Sequence, residues 1–152
     1  GLMNYIFFDK RDQNTTTITQ KLMYLAYGPM LGRAEPNSWV EFCLASRIEG
    51  QLKKEQILEL YINRLYFGDD YYGVDAASIG YFGKSAKILN LAESAALVGV
   101  IRNPQHRSPR LYPESCKAAR DFVLHQMTET GFLDIATARL AMETDIETRA
   151  PN

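Results

Sequence analysis

The fold is decided by the stretch Lys54-Glu-Gln-Ile-Leu-Glu-Leu-Tyr-Ile-Asn63. Its apolar residues recur three and four positions apart, which is the spacing of one face of an α-helix. They are Ile57, Leu58, Tyr61, Ile62 and, just beyond the stretch, Leu65. We therefore predict a helix over residues 53–65. Gly50 is predicted to end the helix that precedes it.

The same spacing and similar helix boundaries recur along most of the chain. Helices are predicted at residues 17–27, 40–48, 76–80, 91–101, 113–131 and 135–142, with caps at Asn90 and Asp134 for the helices that begin at residues 91 and 135. No strand pattern of convincing length and no internal repeat occurs. The sequence predicts an all-α fold, with one helical domain over residues 14–143, a short preceding remnant at residues 1–13 and a frayed tail at residues 144–152.

Composition excludes several classes of protein. The chain has 152 residues, 46% of them hydrophobic and 23% charged, which is ordinary for a globular domain with its own core. A net charge of −1 gives no reason to expect nucleic acid as a partner. No run of about 18 apolar residues is present, so no membrane span is expected. Cys43 and Cys116 belong to no metal-binding pattern, and we expect buried or half-buried thiols or, outside the cytoplasm, a disulfide.

A second stretch, Asn14-Thr-Thr-Thr-Ile-Thr-Gln-Lys21, combines hydroxyl and amide side chains at the predicted start of a helix. Such side chains can hydrogen-bond phosphate and sugar oxygens without carrying charge. They can equally satisfy the free N–H groups of the helix N-terminus, because Thr is a good cap. Binding and capping both remain open for this stretch.

Taken together and in this order, the two stretches resemble signature motifs of the peptidoglycan glycosyltransferases, family 51, the transglycosylase domain of penicillin-binding proteins. The resemblance extends to about Leu133 and implies a lysozyme-like helical lobe. It also implies the polymerisation of lipid II into glycan strands at the outer, periplasmic face of the bacterial cytoplasmic membrane. The substrate-binding residues that it implies are Thr16, Thr17, Thr19, Gln20 and Lys21.

The resemblance assigns a structural role to the stretch at residues 54–63. Its family counterpart is a scaffold motif, so we expect its polar residues to tie helices together. The same holds for the last family motif, of which one arginine is retained and the other is Ala119. The structural residues implied in this way are Lys54, Glu59, Tyr61, Asn63 and Arg120.

A third family motif, Arg-Lys-x-x-Glu, corresponds to residues 37–41, where Glu41 is retained and both cations are absent. The resemblance implies a catalytic carboxylate at Glu41 and a phosphate contact at Arg33. Capping accounts for Glu41 equally well, because Ser38-x-x-Glu41 has the form of a capping box. Arg33 could also be a surface residue without a ligand.

The family's first motif, which supplies the principal general base, has no counterpart in residues 1–13. We therefore expect a divergent, N-terminally truncated domain that is inactive alone, which leaves the chain's own enzymatic activity uncertain. The alternative is a degenerate family member that binds lipid or protein without catalysis. A lysozyme-like hydrolase is disfavoured, because two catalytic carboxylates at a suitable separation cannot be identified.

Expectations about other ligands follow from the same resemblance. No metal-binding cluster is evident, although the family reaction allows for a divalent cation, Mg or Mn. Residues 22–31 are unusually apolar and correspond to a membrane-contacting region of the family, while a core helix is the equally weighted alternative. The expected partners are lipid II or the growing glycan strand, the membrane surface and a second copy of the chain, without nucleic acid.

Overall fold

The computed structural model describes residues 17–31 and 39–149. These residues form the predicted all-α fold. The seven α-helices are α1 (Ile18–Tyr27), α2 (Trp39–Glu49), α3 (Lys54–Ile62), α4 (Val74–Phe82), α5 (Leu91–Ile101), α6 (Pro113–Glu129) and α7 (Ile135–Glu143). Short 3-10 turns lie at Pro29–Leu31 and Ala86–Ile88. Within the described ranges, extended pairing is limited to an isolated bridge between Tyr66 and Tyr72.

The chain divides into two compact units. One lies within residues 9–65 and carries α1 to α3, and the other includes residues 66–152 and carries α4 to α7. We call them the first unit and the second unit. All the described residues that the family resemblance links to substrate lie in the first unit.

In the first unit, α1 packs against both α2 and α3. The buried apolar side chains that form this contact region are Leu22, Met23, Ala45, Ile57, Tyr61 and Leu65. Burial raises the pKa of Tyr61 to about 12. Helix α3 ends at Ile62, before the predicted Leu65, because Arg64 N–H bonds the carbonyl of Tyr61 and closes a tight turn. Leu65 is buried nevertheless.

In the second unit, α5 packs against α6, and α7 covers both. Their shared core contains Ala92, Ala95, Val123, Leu124 and Ala141. The predicted cap of α5 is confirmed: Asn90 N–H donates to Glu93 Oε2 at 2.9 Å and Glu93 N–H donates to Asn90 Oδ1 at 2.8 Å. The predicted cap of α7 at Asp134 is confirmed as well.

The tail that follows α7 contains no helix over residues 144–149, and its end contacts α4. The backbone N–H of Arg149 donates to the carbonyl of Tyr81 in α4 at 2.7 Å. This bond positions the end of the described chain against the second unit.

A close helix contact in the second unit depends on Gly99 in α5. A Cβ placed there would lie 2.8 Å from the Cβ of Ala119 and 3.0 Å from its carbonyl carbon, on α6. We expect Gly99→Ala to lower the free energy of unfolding by about 1–2 kcal/mol, because overpacking outweighs the gain in helix propensity. Urea unfolding measures this. Gly50→Ala is the matched control, since a Cβ there meets nothing closer than 3.6 Å, and equal effects of the two substitutions would contradict the tight contact.

Of the two cysteines, Cys116 agrees with the expectation of buried or half-buried thiols and Cys43 does not. Both are free; Cys43 is exposed and Cys116 is buried. Cys116 is 1% exposed and lies on α6. Burial raises the pKa of the Cys116 thiol to about 11.

This difference predicts selective thiol chemistry. With a thiol reagent at pH 8, we expect Cys43 to react rapidly and Cys116 to react only as the protein opens, because the thiolate is the nucleophile. Counting modified thiols by mass spectrometry, before and after guanidinium addition, checks this. Equal rates for both thiols in the folded protein would show that Cys116 is accessible.

Candidate functional site

The hydroxyl and amide residues at the start of α1 form a reciprocal cap. Thr17 N–H donates to Gln20 Oε1 at 2.7 Å, and Gln20 N–H donates to Thr17 Oγ1 at 3.2 Å. The capping interpretation of this stretch is therefore confirmed for these two residues. The cap also fixes the orientation of the Gln20 side chain, whose amide NH₂ group takes no part in it.

The next two predicted substrate residues lie on the first turn of α1. Thr19 is buried, with 5% of its surface exposed, and Lys21 is half-buried and has interactions of its own. Thr19 therefore supports the contact of α1 with the rest of the unit. Thr16 and Arg33, together with the predicted cap Ser38, lie outside the described residues.

Glu41 occupies the first turn of α2 and is 3% exposed, although its chain neighbours Val40 and Phe42 are both exposed. A carboxylate loses solvation when it is buried, so it must be held by interactions, and Glu41 has them. Position and burial agree with a capping-box glutamate and with a preorganised catalytic carboxylate alike. Because α1 packs on α2, the buried carboxylate and the capped start of α1 belong to the same packed unit.

The α3 residues that were predicted to tie helices together divide into one buried and three exposed side chains. Tyr61 is 4% exposed, whereas the side chains of Glu59 and Asn63 are exposed and make no hydrogen bond to any described residue. Asn63 acts through its backbone, whose N–H donates to the carbonyl of Glu59 at 3.1 Å and caps α3. Lys54 is the exposed first residue of the helix.

Arg120 of α6 is buried and bonds the end of a neighbouring helix. It is 3% exposed, and its guanidinium donates to the carbonyls of Met142 at 2.6 Å and Thr144 at 2.7 Å, at the end of α7. It also pairs with Asp121 at 2.8 Å. One buried side chain thus ties two helices together.

A second polar anchor in the second unit was not predicted. It holds the turn after Phe67, where Asp69 and Asp70 adopt positive φ angles of 48° and 62°. Ser108 Oγ donates to Asp69 Oδ2 at 2.9 Å, and Arg110 lies 3.9 Å from the same oxygen. The anchor stabilises a backbone conformation that residues other than glycine rarely adopt. We therefore assign it a structural role.

The apolar stretch at residues 22–31 divides into a buried and an exposed part. Leu22 and Met23 belong to the core, whereas Tyr27 is 47% and Met30 83% exposed. Nearby in sequence, Trp39 is 82% exposed and packs edge-on against the ring of Phe42. No helix in residues 17–31 and 39–149 is long and apolar enough to cross a membrane.

Metal binding finds no support in the residues that the structure describes. Among them, no group of three or more His, Cys, Asp and Glu side chains could hold a metal ion. No step of the chemistry below is therefore assigned to a metal ion.

A surface pocket in the first unit was missed by the sequence predictions. It has a cavity volume of about 200 Å³ and is lined by Thr17, Gln20, Phe42, Ala45, Ser46 and Glu49. The last four residues share one face of α2, at the i, i+3, i+4, i+7 spacing of a helix. That spacing was available in the sequence, but only the packing of α1 on α2 shows that the face lines a pocket.

The fold and the arrangement of these residues define a class of protein: an all-α domain in which a capped hydroxyl and amide motif packs beside a helix that carries a buried carboxylate. A model of the Transglycosylase family matches residues 2–128 of the chain. The chain belongs to this family.

Individual relatives agree with that assignment. Penicillin-binding protein 1A of Pseudomonas aeruginosa is 40% identical over 106 residues, which cover 70% of this chain and 13% of the relative. Penicillin-binding protein 2a of Streptococcus pneumoniae is 36% identical over 136 residues, which cover 90% of this chain and 18% of the relative. The crystal structure of penicillin-binding protein 1A from Haemophilus influenzae matches with a TM-score of 0.61 and 32% identity, over 66% of this chain and 15% of that one. The chain thus spans less than a fifth of these relatives.

Proposed function

We propose that this chain is part of a peptidoglycan glycosyltransferase that polymerises lipid II into glycan strands. The observation that carries the proposal is the packing of α1, which begins at the hydroxyl and amide motif, against α2, which buries Glu41. Two motifs that the family resemblance links to substrate and catalysis are thereby held in one helix–helix contact. Rigid elements are what a catalytic site needs for accurate positioning.

The chemistry of this proposal is a glycosyl transfer. A sugar hydroxyl of one chain attacks the anomeric carbon of another, the bond to polyprenyl pyrophosphate breaks, and the pyrophosphate leaves with the bonding electrons. A carboxylate must take the proton of the attacking hydroxyl or steer the groups that do so. We assign Glu41 to assist at this step, and hydrogen bonds from the start of α1 to hold sugar or phosphate oxygens.

The alternative, a non-catalytic module that binds lipid or protein, is not favoured by the family match. Fluorescent lipid II incubated with the full-length gene product separates the two functions. One sample contains Mg or Mn and a parallel sample contains a chelator. Release of polyprenyl pyrophosphate supports the enzyme. Saturable binding of lipid II without any release supports the binding module.

Membrane contact at residues 22–31 is part of the same proposal, with the protein at the outer face of the cytoplasmic membrane. The exposed side chains of Tyr27 and Met30 support it, as does the exposed Trp39, because aromatic and apolar residues favour the membrane interface. We expect Met30→Glu to weaken flotation with liposomes of anionic lipid about fivefold or more, since a charge must then leave water. Leu60→Glu, at an exposed position of α3, is the control. Equal losses for both variants would contradict a contact at residues 22–31.

We also propose self-association. The exposed apolar side chains of Phe132, Ile135 and Leu140 around α7 support it, because such surface is costly to leave in water. Size-exclusion chromatography with light scattering tests the idea on the purified chain. A strict monomer at high concentration would refute it.

A further inference from the structure

A pocket, called here the Phe42 pocket, is lined by Thr17, Gln20, Phe42, Ala45, Ser46 and Glu49. Its four residues on α2 have no role in the chemistry described so far. Its volume of about 200 Å³ lies below the roughly 300–1,000 Å³ that enclose a drug-sized ligand. It is also open to solvent. These dimensions suit one ring of a longer molecule that continues beyond the pocket.

The lining combines an apolar floor with unused hydrogen-bonding groups. Ala45 is 3% exposed and forms the floor, and the ring of Phe42 stands beside it, 52% exposed. The Ser46 hydroxyl and the Glu49 carboxylate make no hydrogen bond or ion pair with the described residues. An aromatic face beside free donors and acceptors suits a sugar ring, which has apolar C–H faces and a polar rim of hydroxyls.

The capped start of α1 adds a donor to this set. Gln20 Oε1 is held by Thr17 N–H at 2.7 Å, so the side chain is fixed and its NH₂ group is left to donate elsewhere. A fixed donor costs less conformational entropy on binding than a mobile one. The pocket can therefore both donate to and accept from a sugar hydroxyl.

The charge of the lining selects among the parts of a lipid-linked sugar. Among the described residues that line the pocket, Glu49 is the charged one, and none is Lys or Arg. A carboxylate repels a pyrophosphate and accepts hydrogen bonds from neutral hydroxyls. The pocket thus suits the neutral sugar portion of the substrate and excludes the pyrophosphate.

The pocket is also distinct from the candidate catalytic carboxylate. Glu49 follows Glu41 by eight residues on α2, which is about 12 Å along the helix axis. A ring bound at Glu49 would lie away from a bond that reacts at Glu41. Such a contact would position a glycan chain and would not take part in the transfer itself.

We propose that the Phe42 pocket is a subsite for one N-acetylhexosamine ring of a glycan chain, with Ser46, Glu49 and the Gln20 amide contacting its hydroxyls and Phe42 contacting its apolar face. The proposal rests on the proposed function for the identity of the glycan. It adds a sugar-binding subsite. Its residues take no part in the reaction step that is assigned to Glu41.

The test is an NMR titration of the ¹⁵N-labelled 152-residue chain with N-acetylchitotetraose, a neutral oligomer of N-acetylglucosamine. We expect the amide signals of residues 17–20 and 42–49 to shift in a saturable way. Ser46→Ala combined with Glu49→Ala should weaken binding about tenfold or more, through the loss of two hydrogen-bonding groups. Glu49→Gln keeps an acceptor and should lie between this variant and the wild type. Alanine is well tolerated on an exposed helix face, so these variants should fold.

Glu55→Gln is the matched control, because Glu55 is exposed on α3 and does not line the pocket. It should bind like the wild type, and inorganic pyrophosphate should leave the pocket signals unchanged. The proposal is overturned by three results: no shift at these residues, equal affinity of the pocket variants and the control, or displacement of the sugar by pyrophosphate.

Lipid II turnover by the full-length protein separates this proposal from the one on which it rests. Sugar binding at the pocket without turnover would refute the glycosyltransferase function and leave the subsite standing. Lipid II turnover without any shift of the pocket's amide signals would refute the subsite and leave the glycosyltransferase function standing.

Discussion

Glu41→Gln is expected to slow lipid II polymerisation by the full-length protein by about 10²–10⁴-fold, the usual contribution of a positioned acid or base. The carboxylate is 3% exposed, at the first turn of the helix that packs on the start of α1. Gln matches Glu in shape but cannot accept a proton at neutral pH. The rate is measured as polymer formed per time with labelled lipid II at saturation.

The choice of Gln separates catalysis from capping. A capping box accepts Gln in the place of Glu, and Gln20 does so in this chain. A purely capping Glu41 would therefore be replaced with little loss of activity or stability. Glu55→Gln, on the exposed surface of α3, is the control. Equal polymerisation rates for the wild type and Glu41→Gln, with the control also unchanged, would reduce Glu41 to a cap.

Arg120→Ala is expected to lower the free energy of unfolding by about 3–5 kcal/mol, as the loss of one partner from a buried charged network does. The substitution leaves the carbonyls of Met142 and Thr144 without their donor, and buried acceptors that lose a partner are costly. It also removes the link between α6 and the end of α7. Urea unfolding followed by circular dichroism measures the change.

Arg139→Ala is the matched control for this prediction, because Arg139 is exposed on α7 and should change stability by less than about 0.5 kcal/mol. Arg120→Lys should give an intermediate loss, since an ammonium group cannot bond both carbonyls in the geometry of a guanidinium fork. Similar losses of stability for Arg120→Ala and Arg139→Ala would contradict the proposed link between α6 and α7.

The features that the sequence predicted correctly are local ones. A helix start needs only residues that lie three or four positions apart, so the caps at Asn90 and Asp134 could be recognised directly. The helices followed in the same way from the spacing of their apolar residues. Arg120 was assigned through the family resemblance, and its partners lie 22 and 24 residues further along the chain.

The features that could not be predicted depend on contacts between distant segments. Asp69 and Ser108 are 39 residues apart, and no local pattern connects them. The exposure of Glu59 depends on which side of α3 meets α1, and no local pattern specifies that side. The Phe42 pocket likewise forms only where the start of α1 approaches one face of α2.

The central claim, that the chain belongs to a working peptidoglycan glycosyltransferase, is tested most directly by gel electrophoresis of the products that the full-length protein makes from labelled lipid II. We predict a ladder of glycan polymers that disappears after digestion with a muramidase, and whose appearance depends on Glu41. Lipid II that is bound by the folded protein but remains unpolymerised under all conditions would contradict the claim.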